Sequence, residues 1–356
     1  MTRLRALAAG RAPRALLVLV VLAFLPYSAI SVPGLFDGPF DSAGTLQLLA
    51  LCLVFAGLAL GYDLLFGRTG LLSFGHGLFV TIGVYATVIL VDQVGLGLST
   101  AALLALVLGL LLALGLGAIA LRVSGIAFAM VTLAFAQAVS ILVTSDPHNL
   151  TGGEQGRSLD ATAVPSAFAG IANTVNLYWL ALAYAALCAA VVWWAYGSVP
   201  GQVWRGIRDN EQRVEVLGLN PYLFKLLAFV LAAVLATGGG IIYLLLVGGA
   251  SVDVSTSNFT LALLVMVVLG GSGSRWGPII GGMLYTYLQQ TLTRLSGSTA
   301  VASLPGVLRG PLEQPLFVLG ALFVLVVFFA PGGVGSLPTR IRGAVPRGRR
   351  APSPPA

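Results

Sequence analysis

Tyr196–Phe229 reads YGSVPGQVWRGIRDNEQRVEVLGLNPYLFKLLAF and holds Arg205, Arg208, Asp209, Glu211, Arg213, Glu215 and Lys225. Between the two termini no other stretch packs charge so densely. The chain has 356 residues, of which only 9% are charged and 58% hydrophobic, with a mean hydropathy of +0.96. Soluble domains carry about 25% charged residues. A charged island in such a chain is a loop in water between two membrane spans, and its natural home is the cytoplasm.

The rest of the composition narrows the class. Forty-five glycines suit a helical bundle, because small residues let helix backbones approach where lipid offers no hydrophobic force between them. The short alternating segments of a β-barrel are missing. The net charge of +7 comes mostly from arginines at membrane edges and tails, so it reports topology and not a nucleic-acid partner. Cys52 and Cys188 lie inside apolar runs without ligand-like spacing, which supports neither a disulfide framework nor a metal site.

Working outward along the chain, Arg3, Arg5, Arg11 and Arg14 precede a first apolar run from Ala15 to about Val32. This run is longer than a signal-peptide core and reads as a retained span with its N-terminus inside. A second span, Thr45 to Phe66, ends at Arg68 and carries Gly57 and Gly61 as a small-xxx-small pair. From Gly67 to Leu90 the sequence GRTGLLSFGHGLFVTIGVYATVIL is too broken by Gly70, Ser73, Gly75 and Gly77 to be one helix, so its first part is a tight turn or a re-entrant segment. Gly97–Leu121 runs back to Arg122, and Gly125–Thr144 crosses outward with Thr132, Gln137 and Ser140.

The polar segment 145–174 bears Arg157 alone against Asp146, Glu154 and Asp160, which assigns it to the outside. Val175–Tyr196 returns through an aromatic belt of Trp193, Trp194 and Tyr196 to the charged loop, 197–224. Lys225–Val247 spans outward with Gly238, Gly239 and Gly240 at its middle, where they permit close packing or a kink. Phe259–Gly270 is short and leads into GGSGSRWGP, where Arg275 marks the inside again. Ile279–Thr293 goes out, an outer segment from Arg294 to Leu312 follows, and Gln314–Ala330 comes back. The expectation is an all-α polytopic membrane protein with about ten transmembrane or re-entrant helices and both termini cytoplasmic. Residues 1–14 form a basic N-terminus, 15–330 the membrane domain, and 331–356, with Arg340, Arg342, Arg347, Arg349 and Arg350, a cytoplasmic tail beside anionic lipid.

No Gly-rich loop ending in GK[ST] occurs, nor an HExxH or GxSxG element, so the chain is expected to carry no catalytic residues and no ATP site of its own. The spans also lack the mid-membrane ionisable groups that ion-coupled transporters keep. Asp63 lies near the inner end of the second span and Lys225 at a span edge. Energy for uphill transport must come from elsewhere, and the charged loop is where a soluble motor can push.

Four blocks in this order resemble the permease subunits of branched-chain amino-acid ATP-binding-cassette importers, the M-type subunit more than its H-type companion. They are GYDLLFGRTGLLSFGHGLFVTIGVYA (Gly61–Ala86), VTLAFAQ with LTGGEQG (Val131–Gly156), RDNEQRVEVLGLNPYLFKLLAF (Arg208–Phe229) and LVMVVLGGSGSRWGPIIGG (Leu264–Gly282). The urea and short-chain amide permeases are a sister branch with the same outline. The resemblance implies a multi-pass subunit of the cell membrane that pairs with a homologous permease, two cytoplasmic ATPases holding ATP and Mg, and an extracytoplasmic substrate-binding protein. It also implies that the charged loop meets the ATPase. Gly218 after a charged helix is similar to the coupling element of such importers, although the spacing differs and two alanines of that element are missing.

On the residues themselves, Pro200–Leu217 can form one amphipathic helix, with Val203, Ile207, Val214 and Leu217 on one side and Arg208, Glu211 and Glu215 on another. Gly218 ends it and Asn220–Pro221 turns into the next span. The expected coupling residues are Arg205, Arg208, Asp209, Asn210, Glu211, Arg213, Glu215 and Gly218. Ser73, Gly75, His76, Gln137, Gly271 and Ser272 line a translocation path or are packing elements. Thr151, Gly152 and Gly153 face outward, to receive a binding protein or simply to turn the chain. Alternatives are a urea or amide cargo within the class, and a secondary transporter or channel outside it.

Overall fold

A computed structural model describes residues 12–28, 38–160, 162–168, 170, 173–296, 314–329 and 332–336. The expectations for Arg3, Arg5, Arg11, residues 29–32 of the first span, residues 297–312 of the outer segment and the tail from 337 lie outside the described residues. The helices in order are α1 (Ala12–Phe24), α2 (Ala43–Asp63), α3 (Gly77–Asp92), α4 (Leu98–Ala120), α5 (Ile126–Ser145), α6 (Thr174–Gly197), α7 (Val199–Asp209) and α8 (Glu211–Val216). They continue with α9 (Pro221–Val247), α10 (Ser257–Gly270), α11 (Gly277–Ser296) and α12 (Pro315–Phe329). Five stretches are long and apolar enough to cross a membrane: Ala43–Thr69 and helices α4, α5, α6 and α9. Helices α3, α10 and α12 are shorter apolar helices. The chain is a helical, polytopic membrane protein.

Helix α2 is the axis of the bundle. It packs against α6, α9, α10 and α11, and its apolar residues, among them Leu53, Val54, Leu58, Leu60 and Tyr62, are buried on all sides. A helix apolar all round belongs in such a position. Helix α4 behaves oppositely. Ala101, Ala105, Gly109, Ala113 and Gly117 recur every four residues as its buried stripe, while Leu103, Leu104, Val107, Leu108, Leu111 and Leu114 are exposed. The stripe faces α9, where a Cβ on Gly109 would come within 2.5 Å of Thr237 Oγ1 and one on Gly117 within 2.7 Å of Phe229. Small residues at the contact let the backbones approach, and the large ones are left for lipid.

The expected Gly57 and Gly61 pair contacts two different neighbours: Gly57 lies against Tyr184 of α6 and Gly61 near Leu235 of α9. The three glycines at 238–240 do not interrupt α9. Gly239 admits Leu58 and the Tyr184 hydroxyl, which donates to Leu235 O at 2.9 Å, and Gly240 admits the Val80 carbonyl of α3.

The break after α2 is a buried connection. The helix widens into a turn with i→i+5 bonding over Leu64–Thr69 and stops at Gly70, whose φ is +74°. Residues 71–76 are not helical, and a non-helical backbone at this depth needs partners from the protein. Phe74 N donates to Thr132 Oγ1 at 3.2 Å, the Tyr62 hydroxyl donates to Ser73 O at 2.8 Å, and Gly77 N donates to Thr260 Oγ1 at 2.9 Å. Helices α2, α5 and α10 thus supply what the chain itself cannot.

The bundle has two chemically distinct ends. At one lie Asp92, the segment 146–160 and a two-stranded antiparallel pairing of β1 (Arg157–Ser158) with β2 (Gly249–Ala250). At the other lie Arg68, Arg208, Arg275 and the α7–α8 segment.

Candidate functional site

Helix α7 begins where the sequence allows it to. Ser198 accepts from Gly201 N at 3.4 Å, Pro200 occupies the first turn, and Gly201 has no side chain because a Cβ there would overlap the Ala195 carbonyl. Trp204 is 1% exposed, and its indole N–H donates to Phe224 O of α9 at 2.7 Å. Ile207 and Val214 are buried beside it. Trp204 thereby fastens an otherwise polar helix to the bundle.

The expectation of one helix over Pro200–Leu217 is corrected. The chain breaks at Asn210, which is extended with φ −164°, and its Oδ1 accepts from Arg213 N at 3.1 Å to start α8. A side chain that can bond the backbone two or three residues on competes with the helix, and asparagine does so well at an N-cap. The buried face is Gly201, Trp204, Ile207 and Val214, whereas Leu217 is 77% and Val216 87% exposed. Gly218 closes α8 as expected, with φ +81°, its N–H on Glu215 O at 2.8 Å and the Leu219 N–H on Val214 O at 3.3 Å. Asn220 caps α9 through Tyr222 N at 3.1 Å.

Of the expected coupling residues, Arg205, Arg208, Asp209, Asn210, Arg213, Glu215 and Gly218 are exposed, and Glu211 is half-buried in an ion pair with Lys225 of α9. Arg205, Asp209, Arg213 and Glu215 form no ion pair among the described residues. The segment therefore offers charge of both signs and two bare apolar side chains, Val216 and Leu217, on a docked frame. A constant helical period puts Leu217 on the inner face, so the sequence alone does not mark this pair as exposed.

A second group, not anticipated, joins this segment to the bundle. Asp63 is fully buried at the end of α2. Its Oδ2 accepts from the Tyr196 hydroxyl at 2.7 Å and its Oδ1 from Gly273 N at 2.7 Å. Arg68 stacks over the Tyr196 ring at 3.8 Å, and Arg208 of α7 donates to Gly67 O. Gly67 must be glycine, since a Cβ would overlap Asp63 Oδ1 and Gly273 N. The signal in the sequence is an acidic residue embedded in an apolar run.

The residues grouped as a path are divided by the structure. Ser73, Gly75 and His76 lie buried together at the break after α2, where His76 sits between Tyr62 and Phe79 with ring centroids 5.3 and 6.0 Å away. A Cβ on Gly75 would overlap the Thr132 carbonyl. Gln137 is exposed on α5. Gly271 and Ser272 sit at the other break, between α10 and α11, where Gly271 has φ +103° and packs on Gly332 and Gly333 while Ser272 is exposed.

At the opposite end the Thr151–Gly153 turn is built on Asp146. Asp146 Oδ1 accepts from Thr151 N at 2.7 Å and Gly152 N at 3.1 Å, and the Thr151 hydroxyl lies 2.7 Å from Val143 O. The Thr151 amide in particular holds the Asp146 carboxyl below the usual range. Gly152 and Gly153 have φ of +80° and +56°. Arg157 pairs with Asp92 at 2.9 Å and donates to Asn149 O and Leu150 O. Among the described residues no group of three His, Cys, Asp or Glu side chains is placed to hold a metal ion.

The chain is a Gly-packed helical membrane bundle with broken spans and a charged segment docked at one end. The chain belongs to the family of branched-chain amino acid transport system permease components, whose profile matches residues 44–327. It is 28% identical over 319 residues to the high-affinity branched-chain amino acid transport system permease protein LivM of Escherichia coli, covering 82% of this chain and 70% of that one. The Salmonella typhimurium LivM is also 28% identical, over 315 residues and with the same coverage. A probable branched-chain amino acid transport permease protein LivM of Methanocaldococcus jannaschii is 22% identical over 331 residues, covering 82% of this chain and 94% of that one. No solved structure matches.

Proposed function

We propose that this chain is the membrane-spanning permease of an ATP-driven importer for branched-chain amino acids, working with a homologous permease, two ATPases that hold ATP and Mg, and an extracytoplasmic binding protein, in the cell membrane. The observation that carries this reading is the α7–α8 segment. It is anchored to the bundle by Trp204, while Arg205, Asp209, Arg213, Glu215, Val216 and Leu217 are exposed. Val216 and Leu217 are adjacent, and an apolar pair rimmed by charged side chains is a surface that a protein partner can bury.

The end bearing Arg68, Arg122, Arg205, Arg208, Arg213 and Arg275 is assigned to the cytoplasm by the excess of basic residues. The Tyr222 hydroxyl, which donates to Ala118 O at 2.9 Å, supports bringing the Arg122 end of α4 to the same side as the charged segment. The Asp146–Arg157 end then faces outward, toward the binding protein, and about ten crossings or re-entrant passes complete the topology. Uptake of labelled leucine, valine, isoleucine and urea into proteoliposomes holding the assembled complex, with ATP inside and binding protein outside, tests the assignment. ATP-dependent uptake of the three amino acids is expected. Uptake of urea alone moves the chain to the amide branch, and uptake without ATP removes it from the class.

A further inference from the structure

We propose that Asp63 is a positioning residue for coupling: together with Tyr196, Gly273 and Arg208 it forms a knot that passes movement of the α7–α8 segment to the two broken helices of the bundle. The inference rests on the importer reading above and deepens it.

Three elements meet at this carboxylate, and α7 joins them through Arg208. Asp63 closes α2, Tyr196 lies two residues before Ser198, which caps α7, and Gly273 belongs to the break between α10 and α11. Each carboxylate oxygen is taken by a donor from a different element, both at 2.7 Å. Arg208, on α7 itself, holds the carbonyl of Gly67 four residues beyond Asp63, and a Cβ on Gly273 would lie 3.0 Å from Gly67 O and 3.1 Å from Arg208 Nη1. Arg68, over the Tyr196 ring, and Arg208, on Gly67 O, bring two guanidinium groups to the same cluster.

A buried carboxylate among leucines is costly unless every oxygen is satisfied, so this arrangement holds in a small number of discrete states. A carboxylate whose two oxygens are taken by donors from two other elements resists partial displacement, because losing either donor leaves a buried oxygen unpaired. The segment after Asp63 is the i→i+5 turn Leu64–Thr69 and then the non-helical stretch 70–76. Such wide turns and breaks change register more readily than a regular helix. Displacement of α7 toward or away from an ATPase pulls on Gly67 and Tyr196 together, and both pulls converge on Asp63. The movement then continues into the 70–76 break on one side and the Gly271–Trp276 loop on the other.

Two near-isosteric changes separate coupling from stability. Tyr196→Phe keeps the ring beneath Arg68 and deletes one donor. Asp63→Asn keeps the shape and deletes the charge. In the reconstituted complex, stimulation of ATP hydrolysis by leucine-loaded binding protein is expected to fall at least about five-fold in each variant, the lower end of typical coupling between sites. Each variant leaves a buried group unpaired and lowers thermal unfolding somewhat, basal hydrolysis and complex yield stay close to wild type, and the double variant is no worse than Asp63→Asn alone. Unchanged stimulation in both variants, fully additive losses, or a fall in basal hydrolysis equal to the fall in stimulation would overturn the proposal. If Asp63→Asn does not assemble, Tyr196→Phe alone decides. A wild-type complex that shows no stimulation at all refutes the importer reading and not the knot.

Discussion

Replacing Trp204 should loosen the coupling segment without unfolding the bundle. Trp204 is the largest fully buried side chain among the described residues, and it is the principal apolar attachment of α7. Truncating a buried tryptophan to alanine costs about 3–5 kcal/mol. The lost Nε1–Phe224 O bond is one part of that cost, worth about 1 kcal/mol on its own. At about 1.4 kcal/mol per factor of ten, Trp204→Ala multiplies the undocked population of α7 by roughly 150-fold or more. Trp204→Phe keeps most of the packing and loses chiefly the hydrogen bond, for about ten-fold or less. Hydrogen–deuterium exchange of the amides over Val203–Asp209 reads this opening directly. Faster exchange confined to the segment, graded Ala over Phe, is expected to accompany loss of binding-protein-stimulated ATP hydrolysis in the same order. Unchanged exchange in Trp204→Ala, or faster exchange spread equally through α2 and α9, would refute the idea of a docked but separable segment.

Three further outcomes follow from the same geometry. Gly75→Ala and Gly67→Ala force a Cβ against the Thr132 carbonyl and the Asp63–Gly273 contact respectively, and each should lower the thermal midpoint through a loss of about 1–3 kcal/mol, while Gly115→Ala, with open space around it, should not. The 146–153 turn should loosen in acid: Asp146 has a depressed carboxyl in the fold, so its contribution is complete above the ordinary value of about 3.9 and disappears as pH falls through the lower folded value. A spin label at the exposed Gln155 should therefore gain mobility below about pH 4, and Asp146→Asn should abolish that pH dependence. Deleting Gly152 and Gly153, which bear positive φ, should remove binding-protein stimulation in a protein that still inserts.

Much of the fold is legible in the sequence because lipid simplifies the rules. Apolar runs set the helices α2, α4, α5, α6 and α9 to within a few residues, and the glycine-broken stretches around Gly70 and Gly271 mark real interruptions. What composition does not carry is which face of a short polar helix turns inward. Val203, Ile207, Val214 and Leu217 form a face at a constant 3.6-residue period, but Asn210 resets the period by capping a new helix, and this turns Leu217 out. The knot at Asp63 is hidden for another reason. Its partners, Tyr196 and Gly273, lie 133 and 210 residues away, and one of the two bonds is made by a backbone amide that no side-chain pattern announces. Gln137 is a polar residue in an apolar run, and its place on the helix surface is set by how α5 leans on its neighbours, which its polarity does not reveal.

The claim on which the account turns is that the α7–α8 segment is where an ATPase docks. A photo-crosslinking residue placed at Leu217 in the assembled complex tests it most directly, with the same probe at the exposed Leu103 of α4 as the reference. The account predicts that Leu217 captures an ATPase subunit, with a yield that changes when ATP is added, and that Leu103 captures none. Capture of the extracytoplasmic binding protein at Leu217, or equal ATPase capture at both positions, would contradict it.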